Sequence, residues 1–133
     1  MKKYKTGITF GAFDPLHYGH IKLLQRAKEQ CERLIVCVST TAYIKEHKNR
    51  DERIPLKDRM EIIATGIKFV DTVTWQDPKF GKKEAIEMFG PDVLFVGDDW
   101  TSKTFTGEGL GVPIVYLPHT KGMNSTQLIN NKK

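Results

Sequence analysis

Three short apolar runs constrain this chain most: residues 34–38, 93–96 and 114–117. Each is continuous instead of alternating, the pattern of a strand covered on both faces. Between and around them lie helical patterns over residues 20–30, 56–67, 82–89 and 125–130, with Met60, Ile63 and Ile67 forming one stripe. Residues 72–75 form a shorter, edge-like strand, and Pro55 and Gly90-Pro91 punctuate the helices. Strand and helix in alternation predict right-handed crossovers and a doubly wound parallel sheet in an α/β domain. In such a sheet a ligand lies beyond the carboxyl ends of the strands. Phe10-Gly11, Ser39-Thr40, Gly97-Asp98 and Pro118-His119 end four of the strands and therefore share one rim.

The first of these ends carries the most chemistry. Phe10-Gly11-Ala12-Phe13-Asp14-Pro15-Leu16-His17-Tyr18-Gly19-His20 joins a strand to a helix that opens at the second histidine. Gly11 and Gly19 remove side chains where backbone can approach phosphate oxygens, and a helix start adds N–H groups and a positive dipole end. Three readings are open for His17 and His20. As metal ligands they need a third partner, and His47 and His119 stand in unlike contexts. As helix caps or core residues they are structural. As imidazole donors they follow charge onto a transferring phosphoryl group, the reading we favour.

His17-Tyr18-Gly19-His20 after a Gly-x-Phe-Asp turn resembles the HxGH signature of the nucleotidyltransferase superfamily. Gly97-Asp98-Asp99-Trp100, Tyr116-Leu117-Pro118-His119-Thr120-Lys121-Gly122 before Asn124-Ser125-Thr126, and Phe69-Val70-Asp71 narrow the likeness. In that order they resemble the small bacterial cytidylyltransferases of the glycerol-3-phosphate type, over nearly the whole chain. The resemblance implies one domain over residues 1–133 with a Rossmann-like doubly wound parallel sheet of about five strands. It also implies transfer of a cytidylyl group from CTP to a small phosphorylated acceptor. The acceptor's phosphate oxygen would attack the α-phosphorus in line and release pyrophosphate, with no protein nucleophile or general base. Mg²⁺ would arrive carried with CTP, keeping several waters, and no metal site of the protein's own is expected.

Residue by residue, the resemblance makes His17 and His20 catalytic. It gives CTP the backbone of Ala12 and Phe13, Arg50, Asp98 on a ribose hydroxyl, His119 and Thr120, and Asn124, Ser125 and Thr126. Ser125 and Thr126 also read as caps of the last helix. Lys48 and Lys82 would reach the acceptor's phosphate, with Lys45 a rival for Lys48 because the basic loop is shifted by a short step. Asp99 and Trp100 are as well explained by loop structure, and Asp14 by ordering of the HxGH turn ahead of a magnesium role. Ala12, Lys68, His119 and Asn124 depart from residues usual in the glycerol-3-phosphate type. Arg offers phosphate a planar fork that Lys and His do not, so the acceptor stays open among small phosphates and phosphonates.

Charge separates the remaining classes. The net charge is +5, but much of it gathers in residues 45–53 mixed with acids. That run reads as a flap over a polyanionic small ligand, not as a nucleic-acid face with stacking aromatics. No apolar run approaches a membrane span, and the start leads into strand and not a signal segment, so a cytoplasmic protein with no membrane partner is expected. Cys31 and Cys37 fall in apolar patterns and read as buried thiols. A homodimer is implied by the resemblance alone. Two alternatives stay open: an adenylyltransferase of the same superfamily, told apart by the nucleotide it uses, and a non-catalytic nucleotide-binding module, told apart by binding without pyrophosphate release.

Overall fold

A computed structural model describes residues 2–97 and 111–117 of the chain. The described elements run β1 (Tyr4–Gly11), α1 (Tyr18–Gln30), β2 (Cys31–Ser39), α2 (Thr41–Lys48), α3 (Leu56–Gly66), β3 (Thr72–Gln76), α4 (Lys82–Phe89), β4 (Val93–Gly97) and β5 (Ile114–Leu117). The strands form one sheet in the order β3-β2-β1-β4-β5, and every pairing is parallel. Ile8 sits between Ile35 and Leu94 in register, so β1 is the centre of the sheet. The chain winds outward through β2 to β3, then returns across β1 to β4 and β5. Strand order therefore reverses beside β1, the position where α/β sheets bind ligands.

Alternation along β2 divides the core. Leu34, Val36 and Val38 pack on one face with Leu24 and Ala27 of α1 and Ile63 of α3. Ile35 and Cys37 pack on the other with Ala85 of α4, Leu94 and Val96. Helices on both faces make the sheet doubly wound and explain why its central strands read as unbroken apolar runs. Trp75 on the edge strand β3 is exposed, as an outer strand allows. Asp71, in the segment before β3, accepts hydrogen bonds from the Leu34 N–H (2.8 Å) and Lys28 Nζ (2.6 Å), clamping α1 to β2. Both cysteines are buried free thiols. Among the described residues no helix is long and apolar enough to cross a membrane.

Two local expectations need correction. Helix α1 begins at Tyr18, so His17 is its N-cap and His20 lies inside its first turn. The charged run read as a flap is half helix: Thr40 caps α2 by accepting from the Tyr43 N–H (3.2 Å), and Asn49 ends it in the left-handed region at φ 52°. The periodicity was hidden because α2 buries only Ile44 among its eight residues.

Candidate active site

Every strand ends on the same side of a parallel sheet, so the loops after β1, β2 and β3 meet along one edge. At its centre the chain leaves β1 through Gly11, Ala12 and Phe13. Phe13 adopts φ 50°, in the left-handed region that side chains rarely occupy. This turn folds its ring back into the core, where it is 3% exposed. A Cβ on Gly11 would lie 3.0 Å from that ring, a tight contact, so a side chain there would press on Phe13. The Phe13 ring then meets His20 edge-on, with centroids 5.1 Å apart.

His17 and His20 close the start of α1 as a reciprocal cap. His17 Nδ1 accepts from the Gly19 N–H at 3.0 Å, and His20 Nδ1 accepts from the His17 N–H at 3.2 Å. A backbone N–H can only donate, so each Nδ1 carries a lone pair and each neutral ring carries its proton on Nε2. The rings stack 3.8 Å apart at 25°. Capping and phosphate chemistry are thus not rivals here: Nδ1 holds the helix, and Nε2–H is the donor each ring offers at the positive end of α1.

Asp14 anchors the same loop from below. It is 1% exposed. Its carboxylate accepts from the Arg53 N–H (2.6 Å), the Ile54 N–H (2.7 Å) and Arg50 Nη1 (3.0 Å). Burial pushes its pKa up, but the hydrogen bonds from Arg53, Arg50 and Ile54 and the nearby Arg59 charge outweigh it and hold the group below its ordinary value. Both oxygens accept from donors of the segment before α3, so Asp14 orders the turn. Arg50, expected on CTP, uses Nη1 on Asp14 and on the Asp51 carbonyl (2.9 Å).

Arg59 is the residue that sequence reasoning missed. Its side chain is fully buried. It donates to the carbonyls of Ile54 (2.7 Å), Ala12 (2.9 Å) and Ser39 (2.6 Å), and pairs with Glu52 at 2.7 Å. One guanidinium thereby ties the ends of β1 and β2 to the segment before α3. Only the i, i+4 spacing from Pro55 and Met60's apolar stripe hinted that position 59 faces inward.

Beside this centre, on the β2–β3 side, a cleft of about 240 Å³ opens between α2 and the start of α4. Lys82 lies at its base, donating to the Tyr43 hydroxyl (2.7 Å) and to Gln76 Oε1 (3.3 Å). Its ammonium also stands 5.2 Å from the ring centres of Phe10 and Tyr43. Burial pulls its pKa down to about 8. Gln76 is buried and donates to Ser39 Oγ at 2.9 Å, so Lys82 is linked through Gln76 and Ser39 to Arg59.

The structure therefore gathers Ala12, Phe13, His17, His20 and Arg50 around one loop, with Lys82 in the adjoining cleft. Lys48 is exposed at the last turn of α2 and does not line that cleft; His47 does. Lys45 pairs with Asp51 at 3.5 Å. Asp98, Asp99, Trp100, His119, Thr120, Asn124, Ser125 and Thr126 lie outside the described residues. Among the described residues no group of three His, Cys, Asp or Glu side chains is arranged to hold a metal ion.

A family model described as cytidylyltransferase-like matches residues 8–129. Glycerol-3-phosphate cytidylyltransferase of Bacillus subtilis (strain 168) is 38% identical over 124 residues, covering 93% of this chain and 94% of that protein. The bifunctional protein HldE of Caulobacter vibrioides is 35% identical over 129 residues, which is 94% of this chain but 26% of that protein. The crystal structure of a lipopolysaccharide core biosynthesis protein from Thermoplasma volcanium shares the fold, with a TM-score of 0.71 at 20% identity over 88% of this chain and 97% of that one. With the HxGH pair at the switch point of such a sheet, the chain belongs to the cytidylyltransferase-like family of nucleotidyltransferase enzymes.

Proposed function

We propose that this protein transfers a cytidylyl group from CTP, carried with Mg²⁺, to a small phosphorylated acceptor, releasing pyrophosphate. The observation that carries the reading is the stacked imidazole pair, with both Nδ1 atoms committed to backbone and both Nε2–H groups at the start of α1. Donors fixed in this way need no reorganisation as charge develops on the transferring phosphoryl group. A phosphate monoester is a nucleophile at neutral pH, so rings locked as donors lack nothing as proton acceptors. The B. subtilis relative's name supports CTP and a glycerol phosphate as one candidate pair.

Division of labour follows from the sheet order. His17 and His20 act at the transferred phosphorus, in the middle of the edge. Lys82, to one side, supplies the cation for the acceptor's phosphate. The working form in this reading is a cytoplasmic homodimer. The test is pyrophosphate release with Mg²⁺, crossing CTP, ATP, UTP and GTP with a panel of small phosphates that includes glycerol 3-phosphate. CTP-dependent release with one acceptor is the expected result. Release with ATP alone would move the protein to the adenylyl branch, and CTP binding without release on any acceptor would refute the transfer reading.

A further inference from the structure

We infer that Gln76 is a positioning residue: by holding the Lys82 ammonium with a neutral oxygen, it fixes the cation in the cleft and leaves its charge for an incoming phosphate. This deepens the reading above, in which Lys82 serves the acceptor, and rests on it.

Chemistry settles which way the Gln76 amide points. Gln76 ends β3 opposite Ser39 in register, and both residues are buried. Lys82 Nζ can only donate, so the atom facing it at 3.3 Å is the amide oxygen, Oε1. The NH₂ then donates to Ser39 Oγ at 2.9 Å. The Ser39 carbonyl in turn accepts from Arg59 (2.6 Å), which also donates to the Ala12 carbonyl (2.9 Å) on the loop leading to His17. Gln76 thus sets the place of Lys82 against the same guanidinium that places the histidine loop.

Its neutrality matters as much as its reach. Lys82 also touches the Tyr43 hydroxyl and the rings of Phe10 and Tyr43, which are uncharged. A carboxylate at position 76 would cancel the charge that a phosphate needs and would tie the proton to Lys82. An amide satisfies the ammonium and does neither.

The charged and titratable groups around Lys82 have other places. On β2, burial keeps Cys37 a neutral thiol. After β3, Asp77 accepts from the Thr40 hydroxyl (2.9 Å) and the Lys79 N–H (3.2 Å). On α4, Glu84 accepts from the Gly81 N–H (3.0 Å), while Lys83 adds a second positive charge. On α2, Glu46 and His47 line the cleft but are exposed. Position 76 is the buried contact of Lys82 at which exchanging one amide nitrogen for oxygen would change the charge.

The experiment follows the Lys82 Cε signal by NMR, assigned with Lys82→Gln, in the native protein, Gln76→Glu and Gln76→Met. Each is titrated with pH, and at pH 7 with inorganic phosphate and with glycerol 3-phosphate. In Gln76→Glu the Ser39 hydroxyl can turn to donate, so both contacts survive. Its Lys82 midpoint should rise from about 8 to about 9 or above. Its affinity for both phosphates should fall at least about tenfold, because a like charge now faces them. Gln76→Met fills the same space without an acceptor and should move the midpoint down. Damage to the fold alone would not give opposite signs in the two variants. Shifts of one sign, or a Gln76→Glu protein that binds both phosphates as the native does, overturn the inference and leave transfer standing. Opposite shifts with weakened phosphate binding, and no pyrophosphate from the native protein with any acceptor, uphold the inference and overturn transfer.

Discussion

Replacing Asp14 with Asn tests whether the loop after β1 is held as described. The change is nearly isosteric, but the carboxylate accepts three hydrogen bonds, two at Oδ2 and one at Oδ1. The best amide orientation leaves its oxygen facing Arg53 and Arg50 and turns its NH₂ toward the Ile54 N–H, only 2.7 Å from the replaced oxygen. Two buried donors then face each other. An unsatisfied buried donor costs about 1–3 kcal/mol, and the bond to Arg50 loses its charge assistance as well. The sum is about 3 kcal/mol. At about 3–5 °C per kcal/mol for a chain of this size, Tm should fall by about 10 °C. Turnover should fall further than stability requires, because the displaced loop carries His17, and a shift of about 1 Å can cost about 100-fold.

The sign with pH is also set. Asp14's folded pKa lies below its ordinary value, so its contribution is present above the unfolded value near 4 and is lost as pH falls through the folded one. The Tm gap between native protein and variant should therefore be widest at neutral pH and narrow on strong acidification. Thermal scans over a pH series measure it. A gap under about 2 °C at pH 7, or one that stays constant into acid, would refute the account of the loop.

His17→Ala and His20→Ala should each lower turnover by at least about 100-fold, the scale of a lost transition-state donor; near-normal rates in both would sink the assignment. His17→Asn, a good cap without the Nε2 donor, should recover the roughly 1 kcal/mol that Ala loses at the helix start yet stay inactive. Because Lys82 loses its proton near pH 8 in the free protein, kcat/KM for the acceptor should fall as pH rises through about 8. Lys82→Gln should remove that fall, and a native profile flat to pH 9 would contradict the role. Burial pushes the Cys37 thiol up to about 12 and raises Cys31 as well, so a thiol reagent should label both only after unfolding in urea; rapid labelling of the native protein would be inconsistent with this core.

Legibility followed burial. The strands β4 and β5 and the helix α4 were visible because their apolar residues are contiguous or periodic. Helix α2 was not, since one buried Ile44 among Lys and Glu side chains leaves a pattern indistinguishable from a solvated loop. Arg59 escaped for a related reason: an arginine on a helix reads as a surface charge until its carbonyl partners, 20 and 47 residues away, are brought beside it. The histidine pair was readable as a motif, but its double use was not, because the choice between Nδ1 and Nε2 depends on where the Gly19 and His17 N–H groups point. His47 in place of Lys48 on the cleft is a difference of one residue, about 100° around a helix. A shifted loop cannot fix that angle.

The reciprocal cap at the start of α1 has a consequence for anyone seeking to engineer this protein. At most helix starts, a stabiliser can exchange the capping residue for Ser, Thr or Asp and leave activity alone. Here the residues that begin the helix are the ones proposed to touch the phosphate, and a better cap would discard the Nε2–H. Stability gains must be sought elsewhere, and a library screened on thermal tolerance alone would drift toward well-folded, inert variants at positions 17 and 20.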